Sequence, residues 1–248
     1  MTKISSIKKK NIFTIITVRT ASKRLPKKCL KLINKKKVIE IIIKRAKKIG
    51  FPIILATTKD KSDQILCNIA IKNKISYFQG SKKNVLKRWN DCILNYNIDI
   101  ALIVDADDLL FDYTVYKKAV NKIIKNKYDY IRANKDSITG LFTYIFKSKF
   151  IKKIFNDNKE KNIETPEPFL KKKFKFHSLN LKKDKKIRFT LDYLEDLFFF
   201  KKIFSKFPFT VETTKVINHL KHFKNISKIN YFRENDYLIN QKKSYERL

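Results

Sequence analysis

The chain has 248 residues, 58 basic against 23 acidic side chains for a formal net charge of +35, and 43% hydrophobic content. With 3 Gly and 5 Pro it lacks the composition of a disordered or linker-rich chain, and one domain over residues 1–248 is expected. Only eight basic residues are Arg, and lysine excess beside abundant Asn, Ile and Phe is what an AT-rich coding sequence produces; the charge attracts phosphates nonspecifically but does not by itself specify a nucleic-acid partner.

Residues 1–10 read as a flexible basic N-terminus. The apolar run Ile12 to Val18 is short, interrupted by Thr14 and Thr17, and followed by Arg19 where a secretory leader would place small residues, so it reads as a first strand. No apolar run approaches the roughly 20 residues of a membrane span. Cys29, Cys67 and Cys92 are odd in number and lack metal-like spacing, which suits a reducing cytoplasm. Behind the first strand, residues 19–30 gather Arg19, Ser22, Arg24 and Lys28 around Pro26, a loop suited to anionic oxygens. Val38 to Ile49 has helical spacing, with Ile39, Ile42, Ile43 and Ala46 on one face. Ile53 to Ala56 then reads as a strand, Asp60 to Lys72 as a helix, Ile75 to Phe78 as a strand, Asn84 to Tyr96 as a helix, Ile100 to Val104 as a strand and Tyr113 to Lys125 as a helix.

Such alternation with short, bare apolar strands predicts an α/β, Rossmann-like fold, a mostly parallel sheet covered by helices on both faces. Ligands in these sheets bind at the carboxyl ends of the strands, where strand order switches. That rule brings Arg19, Gly80-Ser81 and Asp105-Ala-Asp107-Asp108 to one rim. Cations for phosphate oxygens and carboxylates for a hard divalent ion are what a nucleoside triphosphate site requires. Further along, Gly140 to Phe146 alternates like a strand, Phe150 to Phe155 like a short helix, Glu164 to Pro168 like a loop and Ile187 to Leu191 like a strand. The helix-like stretch 213–248 is rich in Phe, Tyr and Ile and is expected to pack back on the sheet.

Four motifs, Arg19-x-x-Ser22-x-Arg24-Leu-Pro-x-Lys28, Gly80-Ser-x-x-Asn-Val-Leu-x-Arg88-Trp89, Val104-Asp-Ala-Asp-Asp-Leu-Leu110 and Arg188-Phe-Thr-Leu-Asp192-Tyr-Leu-Glu195-Asp196, together resemble the cytidylyltransferases that activate sugars as CMP derivatives. These include the CMP-octulosonate (KDO) and CMP-nonulosonate synthetases and related spore-coat polysaccharide proteins; the likeness runs over about residues 12–207. It implies a nucleotide-diphospho-sugar transferase-like fold and Mg²⁺-dependent transfer of CMP from CTP to an acidic sugar, with release of pyrophosphate, for surface glycan synthesis. It also implies that Arg19, Arg24 and Lys28 cradle the triphosphate with backbone donors at Ala21 and Ser22, and that Asp107 and Asp192 hold Mg²⁺. Asp105 and Asp108 are the other metal candidates. Gly80 and Ser81 would border the cytosine, and Arg88 would face the nucleotide. The variable stretch of about 130–180 would shape the sugar pocket and a homodimer contact, with Arg132 either binding the substrate carboxylate or making a surface salt bridge. Trp89 reads as core, and Glu195 and Asp196 as residues that favour a helix start. The chain departs from the family at Ala106 and Leu109, where relatives have Gly and Pro, and at Lys83 and Asn84, where many relatives are acidic. Two alternatives stand beside this reading: Asp105-Ala-Asp107 is also the Asp-x-Asp of metal-dependent glycosyltransferases, and the charge also fits a non-catalytic RNA-binding protein.

Overall fold

The computed structural model describes residues 10–158, 163, 166–170, 174–184 and 186–246; the expected N-terminal arm up to residue 9 and part of the 159–173 stretch, including Glu164 and Thr165, lie outside the described residues. In chain order the elements are β1 (Ile12–Thr17), β2 (Leu32–Ile33), β3 (Lys36–Lys37), α1 (Val38–Ala46), β4 (Ile53–Thr58), α2 (Gln64–Lys72), β5 (Ser76–Gly80), α3 (Val85–Asn95), β6 (Ile100–Asp105) and α4 (Tyr113–Lys125). They continue as β7 (Tyr130–Ala133), β8 (Tyr144–Lys147), α5 (Ser148–Asn156), β9 (Phe176–Leu179), α6 (Leu194–Lys206), α7 (Thr213–His222), α8 (Lys224–Ser227) and α9 (Arg233–Glu246).

Seven strands form one sheet in the order β5-β4-β1-β6-β8-β7-β9. β8 runs antiparallel to both β6 and β7, and the other neighbours pair in parallel. Chain order reverses between β1 and β6, whose ends are matched at Thr17 and Asp105. A crevice at the carboxyl ends of these two strands is therefore the topological switch point.

The period-two pattern of each strand divides the core. Ile16, Leu55, Leu102 and Val104 face α1, α4, α6 and α7. Ile15, Ile54, Ala101, Ile103 and Phe146 face α3 and α5 through Leu86, Trp89, Phe150 and Ile154. Both faces are buried, which is why the central strands are mostly apolar, with threonine as the main polar interruption. Arg45 of α1 is fully buried and, among the described residues, forms no ion pair with a carboxylate. Its Nη1 donates to Phe209 O and Val211 O and its Nη2 to Phe111 O and Thr213 Oγ1, at 2.8–3.0 Å, which ties the start of α7 and the segment before α4 to α1. Burial lowers its pKa to about 10.

Three expectations are corrected. Ile187 to Leu191 is not a strand: it makes a single parallel bridge, Arg188 with Thr139, while Leu191 N donates to Asp107 O at 2.8 Å. Of Gly140 to Phe146 only the end, from Tyr144, pairs as a strand, because the chain first turns at Gly140. The C-terminal stretch is broken at Phe223 into separate helices.

Gly140 matters for the site. It sits at φ +84°, and a Cβ there would lie 2.7 Å from both C and O of Phe189. Gly140→Ala combines backbone strain with a clash against the segment that carries Asp192, so it should destabilise the protein by about 2 kcal/mol or more. A denaturation midpoint unchanged from wild type in urea would contradict this packing.

Candidate active site

The loop after β1 is fixed from below by one carboxylate. Asp63 is buried, and its Oδ1 accepts from Thr20 N (2.8 Å) and Thr20 Oγ1 (2.6 Å). Its Oδ2 accepts from Thr57 Oγ1 (2.9 Å), Thr58 Oγ1 (2.5 Å) and Thr58 N (3.2 Å). Burial alone would raise its pKa, but the Thr20, Thr58 and Thr57 donors reverse this and lower it. The loop is thereby tied to the end of β4, with Arg19 and Ala21 exposed and Ser22 partly buried. Lys27 takes a left-handed turn at φ 52°, after which Lys28 enters a short 3-10 turn and points back across the crevice.

There Lys28 meets the carboxylates. Its Nζ lies 2.5 Å from Asp107 Oδ2 and 2.8 Å from Asp192 Oδ1. Arg24 Nη2 reaches the same Asp192 oxygen at 2.6 Å. Burial would raise the Asp192 pKa; Lys28 and Arg24 override it and bring the carboxyl down to about 2. Lys28 responds in the opposite sense, since burial lowers its pKa and Asp107 and Asp192 more than restore it.

Asp192 is gripped from behind as well. The fully buried Arg188 reaches Asp192 Oδ2 (3.2 Å), Asp196 Oδ1 (3.1 Å) and Glu234 Oε2 (2.8 Å). Asp196 Oδ2 accepts from the backbone N–H groups of Asp192 and Tyr193, a helix-start cap of the kind expected for that residue. Glu195 instead pairs with Arg233 at 2.7 Å.

Carboxylate oxygens of Asp105, Asp107 and Asp108 lie within 4.8 Å of one another. Burial first, and the Asp107 charge second, push the Asp105 carboxyl up to about 7 and raise that of Asp108. Three close oxygen donors, two of them reluctant to ionise, fit a hard divalent cation, which would repay the crowding. Asp192 stands on the far side of the Lys28 ammonium from Asp107, so a cation already lies between the two carboxylates expected to share a metal.

The remaining predicted residues fall in two places. Gly80 and Ser81 end β5 with Arg88 packed beneath them: Arg88 Nη1 donates to Ser81 O at 2.9 Å, and Arg88 Cγ is 2.9 Å from where a Gly80 Cβ would stand. At 4% exposure Arg88 supports this loop from inside, so the expectation that it faces the nucleotide is corrected. Burial and the neighbouring Arg19 lower its pKa to about 10. Trp89 beside it is core, 2% exposed, with Nε1–H donating to Thr17 Oγ1 at 2.8 Å. Arg132 lies apart from the Lys28 group. Its guanidinium is 3.7 Å from Glu167 and stacks over Phe176 at 4.6 Å. Glu167 also accepts a hydrogen bond from the Tyr144 hydroxyl. Sequence reasoning missed Asp63, Glu234 and Tyr237, and gave Arg188 no role. The one signal for Asp63 was an acid in the turn before α2, facing Thr20 only after folding.

A basic loop and an acidic cluster at the switch point of this sheet define a nucleotidyltransferase. The chain belongs to the cytidylyltransferase family, whose model matches residues 13–244. An uncharacterised protein of Methanocaldococcus jannaschii is 30% identical over 229 residues, 88% of this chain and 94% of that one. A cytidylyltransferase from Leptospira borgpetersenii superposes with a TM-score of 0.80 at 24% identity, over 88% of this chain and 96% of the other. CMP:2-keto-3-deoxy-manno-octonic acid synthetase, solved with CTP, has a TM-score of 0.60 at 11% identity, over 79% of this chain and 98% of its own. This membership makes the chain an enzyme and sets aside the glycosyltransferase and RNA-binding alternatives.

The Asp105 shift has a measurable sign. Its folded pKa of about 7 lies above the ordinary 3.8, so its contribution is fully present below pH 3.8 and is lost as pH rises through 7. Without divalent metal, wild type should therefore lose stability relative to Asp105→Asn between pH 4 and pH 7.5. Urea denaturation of both proteins across that range checks this, and a constant difference would contradict it.

Proposed function

We propose that the enzyme transfers CMP from CTP to an acidic sugar of the octulosonate or nonulosonate kind, with Mg²⁺ as its ion, for surface glycan synthesis. On this reading it works in the cytoplasm as a homodimer; among the described residues no helix is long and apolar enough to cross a membrane. The observation that carries the reading is the Lys28 ammonium held between Asp107 and Asp192, 2.5 and 2.8 Å away, with Arg24 beside it. The CTP complex of the octonic acid synthetase supports the choice of nucleotide.

In this reaction an oxygen of the acceptor forms a bond to the α-phosphorus of CTP while the bond from that phosphorus to the bridging oxygen of the β-phosphate breaks. The electron pair leaves with pyrophosphate, and the proton of an attacking hydroxyl passes to solvent water. Negative charge grows on the leaving oxygen and on the oxygens of the α-phosphate, so the protein's work is to place the reactants in line and to neutralise charge. Arg19, exposed at the rim, and Arg24 and Lys28, facing into the crevice, are the cations for the β- and γ-phosphates. The backbone at Ala21 and Ser22 adds donors, and Gly80 and Ser81 border the base. Asp107 and Asp192, with Asp105 and Asp108 adjoining, would hold Mg²⁺, which when bound draws charge from the phosphate oxygens. Arg132 serves as the cation for the acceptor's carboxylate.

A thermal-shift series with CTP, UTP, GTP and ATP in the presence of Mg²⁺ tests the donor. Saturation near a hundred times the dissociation constant adds about 2.7 kcal/mol of stability. CTP should give that gain selectively and Asp107→Ala should abolish it, whereas equal gains from all four would mean that the lysines merely collect phosphate. In turnover, Asp107→Ala should reduce pyrophosphate release by about 100-fold or more.

A further inference from the structure

Helix α9 has its amphipathicity turned inside out. Glu234, Tyr237, Gln241 and Tyr245, at helical spacing, are the partly buried residues of one stripe, while Leu238 and Ile239 are 50% and 54% exposed. A helix docked only for hydrophobic gain would do the reverse. The start of the polar stripe packs on Arg188, the residue that grips Asp192 from behind the crevice. Its first turn is anchored: Glu234 takes Arg188 at 2.8 Å and the Thr139 hydroxyl at 2.5 Å, and Arg233 holds Glu195 at 2.7 Å. One turn on, the Tyr237 ring lies over the Arg188 guanidinium at 4.6 Å. Burial, and then Asp108, Asp192 and Asp107, raise the pKa of its hydroxyl, which places that hydroxyl within electrostatic reach of the metal-side carboxylates. At the far end, burial and the Glu167 charge raise the pKa of the Tyr245 hydroxyl to about 12, so Tyr245 lies within electrostatic reach of Glu167, which accepts from the Tyr144 hydroxyl and pairs with Arg132. Tyr144 and Arg132 are register partners on neighbouring strands, in line with Ile103, and Asp105 follows two residues along the same face of β6.

The acid cluster is thus the floor, the Arg132 group one wall, and α9 the other side of a single polar space. Phenol hydroxyls, a carboxamide and aromatic faces are the groups that recognise a polyhydroxylated molecule, and Arg132 adds a cation for an acid. We infer that α9 forms the acceptor side of the active site, with Tyr237 and Tyr245 as specificity-determining residues for a polyhydroxylated, carboxylate-bearing substrate. This rests on the cytidylyl-transfer reading above.

The test uses the full chain loaded with CTP and Mg²⁺. Nucleotide affinity is measured by calorimetry, and acceptor KM by pyrophosphate release with 2-keto-3-deoxy-octonate, a nine-carbon 2-keto-3-deoxy sugar acid and a sugar phosphate. Tyr237→Phe and Tyr245→Phe should each keep CTP affinity within about twofold and raise the acceptor KM about tenfold, the effect of one lost hydrogen bond in a closed site. The outward Leu238→Ala should change neither quantity and controls for loosening of the helix. If the tyrosine variants weaken CTP and acceptor alike, or leave the acceptor KM at its wild-type value, the inference falls. It falls too if CTP-loaded wild type turns over none of these acids. A wild type that takes no CTP overturns the cytidylyl reading and this inference with it.

Discussion

Asp192 carries two sets of interactions, one on each oxygen, and the site depends on their balance. Oδ1 faces the crevice and is held by Arg24 and Lys28; Oδ2 faces the interior and is held by Arg188. With 2% of its side chain exposed, this carboxylate could not remain charged without such partners. Removing Arg188 would leave an acid without support behind, and removing Lys28 would leave Asp107 and Asp192 facing each other. The cost of assembling this charge is offset by the fold around it. The parallel core places Asp107 at the end of β6, a backbone hydrogen bond from Leu191 N to Asp107 O sets the Asp192 segment beside it, and Asp63 pins the basic loop opposite.

The same balance accounts for the poise of the site. Lys28 satisfies two acids, yet Asp105 and Asp108 remain crowded, with burial and the Asp107 charge raising both carboxyls above their ordinary range. On the proposed reading, a divalent ion arriving with a triphosphate would bring positive charge for the acids and negative charge for the cations, so both halves of the cluster would gain partners at once. The contacts that tie Lys28 to Asp107 and Asp192 would then be a resting arrangement, exchanged for a working one when nucleotide and ion bind. The remote acid Glu234 joins this charge balance through Arg188, which links the C-terminal helix to the Asp192 carboxylate.

Much of this was legible in the sequence because the signal was local. Ile12 to Thr17 and Ile100 to Asp105 announce themselves by apolar runs, α1 and α4 by their periodicity, and the loop from Arg19 to Lys28 by its concentration of cations behind a strand. What could not be read depends on long-range pairing. The segment 187–191 looks like a strand and is held by one bridge and by Asp107 O instead. The hairpin β2–β3 turns on Asn34 and Lys35, both at positive φ and with no glycine to mark them. Asp63 and Arg188 have near partners as well, but Asp63 pins the basic loop through Thr20, 43 positions away, Arg188 joins the last helix through Glu234, 46 positions away, and Tyr237 enters through a ring stacked by the fold. Arg88 shows the converse error: a cation in a nucleotide motif that burial turns into scaffold.

The exchange of partners at Lys28 is the claim on which the account turns, and a crystal structure with CTP and Mn²⁺, using the ion's anomalous scattering, tests it most directly. The account predicts an Mn²⁺ peak on the Asp107 and Asp192 carboxylates with the Lys28 ammonium moved onto phosphate oxygens. A bound nucleotide with Lys28 still bridging Asp107 and Asp192, and with the ion elsewhere, would contradict it.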